Sequence, residues 1–479
     1  MERRTNKGKV IILGSGLGGL FAGALLSRAK QEVILFQEKR YQPSYVREGY
    51  HFIPFSNFSE IRIKPTLLQE LSRISPLRFP PRPGKKGRQL QFEFDKTGKE
   101  DGFQVILPNR RIDLFQDPSR SHKEWRREFP EEMDRIENFY QELSYLPPFS
   151  FSPSRPWIKR WFSFDPFPKE SIEEKLAIFS RDFRQFIHLQ LVSQSNLFSH
   201  HLPIILSASL LLNEEGNSSD FNAEELRKIL LDELINSGGW VEEIEGVEKL
   251  EFKWRKGMFL SPSGDQRVWR GDSLILNSPF HRLRNFMGEK KGRQWSKWAK
   301  KVPPRYALVP VFLGIHEEVV PVGMRDHLVS LLDSGKPVEA GNLLLVTLSP
   351  KEDTRQAPEK KRALVAEGLI PVGKWDRVSM EEHQKGVMEH LHHLIPFLDR
   401  YVEFEDFSYG KEQISCWSYP HFLYEAVSAF HGQDGVVPTR LSKNLYFVGK
   451  ENFPHLGLKG EILGGWRAAQ QILKRFNQT

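Results

Sequence analysis

Near the start of the chain, Gly14-Ser15-Gly16-Leu17-Gly18-Gly19 carries the spacing G-x-G-x-x-G. The chemistry this pattern serves is the binding of a dinucleotide pyrophosphate. Gly14 permits a tight turn, Gly16 lets the backbone approach the phosphates, and Gly19 lets the following helix pack close to the preceding strand. The N-terminus of that helix then presents unpaired N–H groups and a partial positive charge. A ribose needs an acceptor at the end of the next strand. Counting from Gly14, that position falls on Gln37, with Glu38 one residue later and Lys39 beside it. A glutamine bonds a ribose hydroxyl less strongly than a carboxylate does. The count leaves both residues open.

Other chemistry is weakly represented. His200-His201 and His392-His393 are adjacent pairs, and neighbouring residues on a helix point about 100° apart, so neither pair clamps a metal. Both are read as structural, and no metal site is expected. Cys416, the one cysteine, has no identifiable base beside it and reads as buried and inert. Neither a serine nucleophile elbow nor a Walker phosphate loop is present, which argues against hydrolases and NTPases. No catalytic side chain is identified.

The elements that would position the glycine turn are legible around it. Val10–Leu13 and Val33–Phe36 are short apolar runs with a helical pattern between them, which reads as strand, helix, strand. His122–Leu146 reads as one helix, with Trp125, Phe129, Met133, Ile136, Tyr140 and Leu143 at three- and four-residue intervals. Ala223–Asn236 reads as another, capped by Ser219, Asp220 or Asn222 and ended by Gly238-Gly239. Strand-like pieces run from Trp240 to Leu276, and Met380–Leu398 is again helical, with a stop near Pro396. Asn444–Val448 is a strand, followed by a glycine-rich loop and a helix from about Gly464 to Phe476.

A chain of 479 residues is too long for one simple core and suggests two intertwined domains. The formal charge is +8, but acidic residues are mixed throughout and no nucleic-acid-binding signature is present, so no nucleic-acid partner is expected. The longest apolar stretch, Pro203–Leu212, is about half of a bilayer crossing. With one cysteine and no signal-peptide core at Val10–Leu13, a cytoplasmic location is expected. Two segments are unusual in composition. Phe79–Arg88 is proline-rich and basic. Phe149–Lys169 interleaves Phe151, Trp157, Trp161, Phe162, Phe164 and Phe167 with Arg155, Lys159, Arg160 and Lys169. That mixture suits a peripheral contact with a water–lipid interface; the alternative is a loop whose rings pack on the body of the protein.

Taken in order, these motifs resemble the phytoene desaturase-like flavoproteins, a family of carotenoid desaturases, carotenoid isomerases and retinol saturases. The opening turn comes first, then Phe129-Pro130 and the helix through Phe139. Gly238-Gly239-Trp240-Val241 with Val247 and Leu250 resembles the segment whose backbone at the valine contacts adenine. Gly271–Asn277 resembles the strand after it, and Thr347–Asp353 with Ala357-Pro358 another family segment. The closing motif is Asn444–Gly449, then Pro454, Gly457, Gly460 and a helix with Ala468 and Ala469. The resemblance implies FAD as cofactor. It places Gly449, Lys450, Gly457, Leu458 and Gly460 near the flavin, and Trp417, Tyr419, His421 and Phe422 as candidate pocket lining. A helix N-terminus at Leu458–Ile462 would stabilise charge on a reduced flavin.

The chain departs from the family where a glycine pair normally follows the second strand, in Lys39–Gly49. It departs again at Lys450 and at Glu461. The expected fold is α/β: a discontinuous Rossmann-type FAD domain (1–75, 222–300 and 410–479) with an inserted α+β substrate domain (76–221 and 301–409). The implied reaction is desaturation, saturation or isomerisation of a lipophilic isoprenoid or polyene. Alternatives are an amine-oxidase-like flavoprotein acting on a polar amine or porphyrinogen, and a non-catalytic nucleotide-binding member of the fold.

Overall fold

Because Val10–Leu13 is apolar on both faces, it can only be a strand buried on both sides. In the computed structural model it lies at the middle of a sheet, with every one of its side chains buried. The structure describes residues 9–54, 103–115, 117–146, 170–198, 202–212, 223–253, 257–283, 286, 298–373, 380–425 and 436–476. Phe79–Arg88, Phe149–Lys169, the pair His200-His201 and the proposed caps Ser219, Asp220 and Asn222 lie outside the described residues.

The chain opens with β1 (Lys9–Leu13), α1 (Leu17–Arg28), β2 (Glu32–Glu38) and the hairpin β3 (Tyr45–Arg47) and β4 (Tyr50–Phe52). A second pair, β5 (Phe103–Leu107) and β6 (Arg110–Leu114), precedes helices α2 (Pro118–Glu128), α3 (Met133–Tyr145), α4 (Ile172–Leu176), α5 (Arg181–Gln194) and α6 (Ile204–Leu211). Helix α7 (Ala223–Asn236) leads to β7 (Trp240–Ile244), β8 (Val247–Lys253), β9 (Gly257–Pro262), β10 (Trp269–Gly271) and β11 (Ser273–Leu276). Then come α8 (Phe280–Leu283), β12 (Pro304–His316), β13 (His327–Leu331), β14 (Leu343–Leu348), β15 (Lys361–Pro371) and α9 (Met380–Leu394). The last elements are β16 (Val402–Asp406), α10 (Ser408–Ser415), β17 (Phe422–Tyr424), β18 (Arg440–Ser442), β19 (Leu445–Phe447) and α11 (Leu458–Phe476).

The first sheet runs β18-β19-β11-β1-β2-β7, parallel except at β18. β1 pairs with β2 on one side (Val10 with Val33, Ile12 with Leu35) and with β11 on the other (Ile11 with Leu274). Strand order therefore reverses at β1, and in open α/β sheets ligands bind outside the carboxyl end of such a strand. This is a Rossmann-type arrangement. One sheet face is covered by α1, α7 and α11, whose Leu26, Leu230, Leu234, Ile462, Trp466 and Ile472 join Val10, Ile12, Leu35 and Ile275 in one core. Each such fully buried side chain contributes about 1.5–3 kcal/mol. α1 and α11 cross closely: a Cβ on Gly465 would stand 2.1 Å from the Gly18 carbonyl oxygen.

The second large sheet runs β16-β12-β15-β14-β13-β5-β6, with β17 also paired to β12. It is antiparallel except where β13 meets β5. Together with its helices it makes the mixed part of an α/β fold.

Three expectations about elements are corrected. His122–Leu146 is not one helix: α2 stops at Glu128 and α3 starts at Met133, with a short 3-10 turn between. Pro130 has no N–H and disfavours a helical residue before it, and Phe129 accordingly has φ −131°. The helix expected over Met380–Leu398 ends at Leu394, short of Leu398 and next to the stop expected near Pro396. The last helix begins at Leu458, six positions before the Gly464 read from the residue pattern, and at the helix N-terminus that the family resemblance sets at Leu458–Ile462.

Candidate dinucleotide-binding site

The turn after β1 is shaped by its packing against the end of β11. Gly14 has φ +104°, and a Cβ there would lie 1.9 Å from the Asn277 carbonyl oxygen. Its N–H donates to Phe36 O at 2.8 Å, which ties the turn to β2. Helix α1 begins at Leu17 with Gly16 at its cap position and no side-chain cap bond. Its first N–H groups are therefore left for other acceptors. The guanidinium of Arg227, on α7, donates to Ser15 O and holds the loop from outside.

Two of those acceptors come from this chain. Gly19 N donates to Asn277 Oδ1 at 3.1 Å, and Gly18 N donates to Glu461 Oε1 at 3.2 Å. Asn277 Nδ2 donates to Val448 O at 2.6 Å and to Glu461 Oε1 at 3.3 Å. The opening turn and the closing motif, far apart in sequence, thus meet through Gly18, Asn277, Val448 and Glu461.

A cavity of about 550 Å³ opens at the end of β2, lined by Glu38, Val247, Ser263, Arg282, Trp417 and Phe422, among others. Glu38 and Gln37 part company here. Gln37 points away, donating to Glu243 Oε1 at 2.9 Å, whereas Glu38 is buried and lines the cavity. The Glu38 carboxylate accepts from Ser418 N at 2.9 Å; burial raises its pKa, opposed by the Ser418 and Trp417 N–H groups. Lys39 turns outward to Glu245 at 3.2 Å and does not line the cavity. Of the aromatic segment, Trp417 and Phe422 line the cavity. Tyr419 is buried with its hydroxyl on Leu308 O, and it and His421 are not part of the lining.

In the closing motif, Gly449 N donates to Asn452 Oδ1 at 2.8 Å, and Lys450 and Glu451 are both buried. Gly457 has φ +53°, linking a 3-10 turn to α11. At Gly460 a Cβ would lie 2.4 Å from Phe453 O, so the first turn of α11, opened by Leu458, presses on the loop before it. Glu451 Oε1 accepts from Phe280 N at 2.7 Å. Burial pushes the Glu451 carboxyl up to about 7, the neighbouring Glu461 adds to this, and the Phe280 N–H opposes it. The Tyr424 hydroxyl neighbours the same carboxyl.

Sequence reading did not identify Asn277, Arg282 or Glu451 as site residues. Asn277 carried a usable signal, a polar residue ending an apolar strand. Glu451 carried none, because its role depends on burial. The His392 ring bonds Asp399 at 2.7 Å and His393 bonds Glu389 O at 2.7 Å, both exposed contacts of helix α9. The Cys416 thiol is pushed up to about 12 by burial and by Glu38. Among the described residues no helix is long and apolar enough to cross a membrane.

These groups fit an adenine dinucleotide at three points. The start of α1, whose own N-cap Gly16 supplies no side-chain cap, would suit a pyrophosphate in place of the Glu461 carboxylate, the Glu38 carboxylate a ribose, and the Val247 face of the cavity an adenine. At Gly16 the fit requires movement, since a Cβ there would lie 2.5 Å from Glu461 Oε1.

The chain matches no protein-family profile and no curated sequence. Solved structures do resemble it. An oxidoreductase from Methanosarcina mazei aligns with a TM-score of 0.62 at 15% identity, over 96% of this chain and 100% of that one. A putrescine oxidase bound to putrescine aligns with a TM-score of 0.61 at 14% identity, over 98% and 99%. A cyclohexylamine oxidase from Brevibacterium oxydans aligns at 0.56 and 13%, again over 98% and 99%. At such identities the likeness is one of fold, and it extends over nearly the whole chain.

Proposed function

We propose that this chain is an FAD-dependent oxidoreductase whose cofactor lies across the β1–α1 turn. The observation that carries the reading is convergence. Glu38, Val247 and Trp417 come from widely separated segments, yet they line one cavity, and Glu38 ends the strand β2 whose Phe36 O accepts from Gly14 N in the glycine turn. The full-length likeness to oxidoreductase and amine-oxidase folds supports it. Bound FAD would supply two-electron chemistry at its ring.

The residues of this chain would bind, orient and exclude water. Glu38 would hold the ribose hydroxyls, and the start of α1 would face the phosphates. Near Gly449, Glu451 would carry a proton around neutral pH. Its Oε2 lies 2.9 Å from where a Gly449 Cβ would be.

For the substrate we infer a lipophilic isoprenoid or polyene that undergoes desaturation, saturation or isomerisation. The order of motifs along the chain supports this; in a desaturation the hydride would pass to the flavin and the accompanying proton to water. Phe149–Lys169 would serve as a peripheral docking surface toward anionic lipid, on the cytoplasmic side. A second reading, oxidation of an amine, is favoured by the putrescine and cyclohexylamine oxidases among the similar structures. Mass spectrometry of lipid extracts from cells with and without the gene separates the two. A changed isoprenoid profile supports the first. An unchanged profile, with amine-dependent peroxide release by the purified protein, supports the second.

A further inference from the structure

Gly16 faces the space that a dinucleotide pyrophosphate must enter, which is why a glycine is needed there. In this structure that space holds a carboxylate of the chain itself. The position of a Gly16 Cβ lies 2.5 Å from Glu461 Oε1 and 2.6 Å from Asn277 Oδ1. Resting on the FAD reading, we propose that Glu461 is a built-in competitor for the cofactor's phosphates. It caps α1 from across the fold and must leave that position before a pyrophosphate can bind.

Three observations support this. First, α1 has no side-chain cap of its own, and the Glu461 carboxylate takes the bond from Gly18 N that an N-cap residue would otherwise satisfy. Second, Glu461 stands in the first turn of α11 while its Oε1 meets Gly18 N in the first turn of α1, so the carboxyl sits between two helix N-termini. The Asn277 Nδ2 donor holds it in register. Third, the residue is only 5% exposed. Its charge is therefore poorly screened, and a second anion at the same N–H groups would meet full repulsion. A small residue here would leave the phosphate position open; a glutamate makes occupancy depend on displacing it.

The test is calorimetric titration of adenosine, ADP and FAD into the full-length protein and its Glu461→Gln and Glu461→Ala variants, with thermal melts to establish that each variant is folded. Both variants should bind ADP and FAD on the order of tenfold more tightly than the wild type, from the loss of one poorly screened charge at a helix terminus. Adenosine, which has no phosphate, should bind all three proteins alike. A purely structural cap would not separate ADP from adenosine. Equal or weaker ADP and FAD binding in both variants would overturn the proposal, and FAD binding equally to all three would do so while leaving the cofactor reading intact. A gain for ADP with no binding of FAD would support the competitor role and defeat the FAD reading. No binding of ADP to any of the proteins would defeat both.

Discussion

Replacing Glu451 by Gln should change how stability depends on pH, in a direction and size set by its burial. An unfolded glutamate titrates near 4.5, whereas burial brings the folded carboxyl to about 7. Between those values the native state binds more protons than the unfolded one. The contribution to stability is therefore fully present below pH 4.5 and is lost as pH rises through 7. At about 1.36 kcal/mol per pH unit the whole effect is on the order of 3 kcal/mol, most of which falls between pH 5 and pH 8. Buried His281 and His455, both pushed down to about 3, act with the opposite sign, but they are shared by the two proteins and cancel in the difference. Glutamine keeps an acceptor for Phe280 N. Urea unfolding of wild type and Glu451→Gln at pH 5 and pH 8 gives the comparison. The wild type should lose on the order of 2–3 kcal/mol relative to the variant over that interval. A difference that stays constant with pH would refute the reasoning.

Three further outcomes follow from the site. Gly14→Ala forces a side chain into a backbone with φ +104° and within 1.9 Å of the Asn277 carbonyl oxygen. It should cost about 3 kcal/mol or more in urea unfolding. Glu38→Ala removes the carboxylate at the cavity and should weaken FAD binding about tenfold by calorimetry, whereas Gln37→Ala should leave it unchanged. Cys416, buried with its thiol pushed up to about 12, should resist alkylation at pH 8 in the native protein and react only on unfolding.

The parts of this fold that could be read from sequence are those fixed by local chemistry. An apolar run, a glycine turn and a second apolar run specify β1, α1 and β2, because each requirement acts within a few residues. The large sheet was not legible: Ala307–Ile315 of β12 is buried throughout, and a strand covered on both faces shows no alternation. The break at Pro130 was masked by packing. Trp125 on α2 and Tyr140 on α3 stack at 4.3 Å, so the apolar spacing continues across two helices as if they were one. The residue pattern alone starts α11 late, at Gly464, because Gly457 and Gly460 read as loop residues, whereas the family resemblance sets a helix N-terminus at Leu458–Ile462; the close approach of Gly460 to Phe453 explains a glycine inside the helix. The choice between Gln37 and Glu38 depends on which way β2 presents each side chain at its end. The meeting of Glu461 with Gly18 depends on how α11 crosses α1. Neither can be counted along a chain.

The central claim is that this protein binds FAD at the β1–α1 turn. Its most direct test is titration of FAD into the purified wild-type protein, followed by flavin absorbance and fluorescence. The account predicts saturable binding of one FAD per chain, with a perturbed flavin spectrum that bleaches on adding dithionite, and loss of that binding in Gly14→Ala. A flavin spectrum indistinguishable from that of free FAD, in both wild type and Glu461→Gln at saturating concentrations, would contradict it.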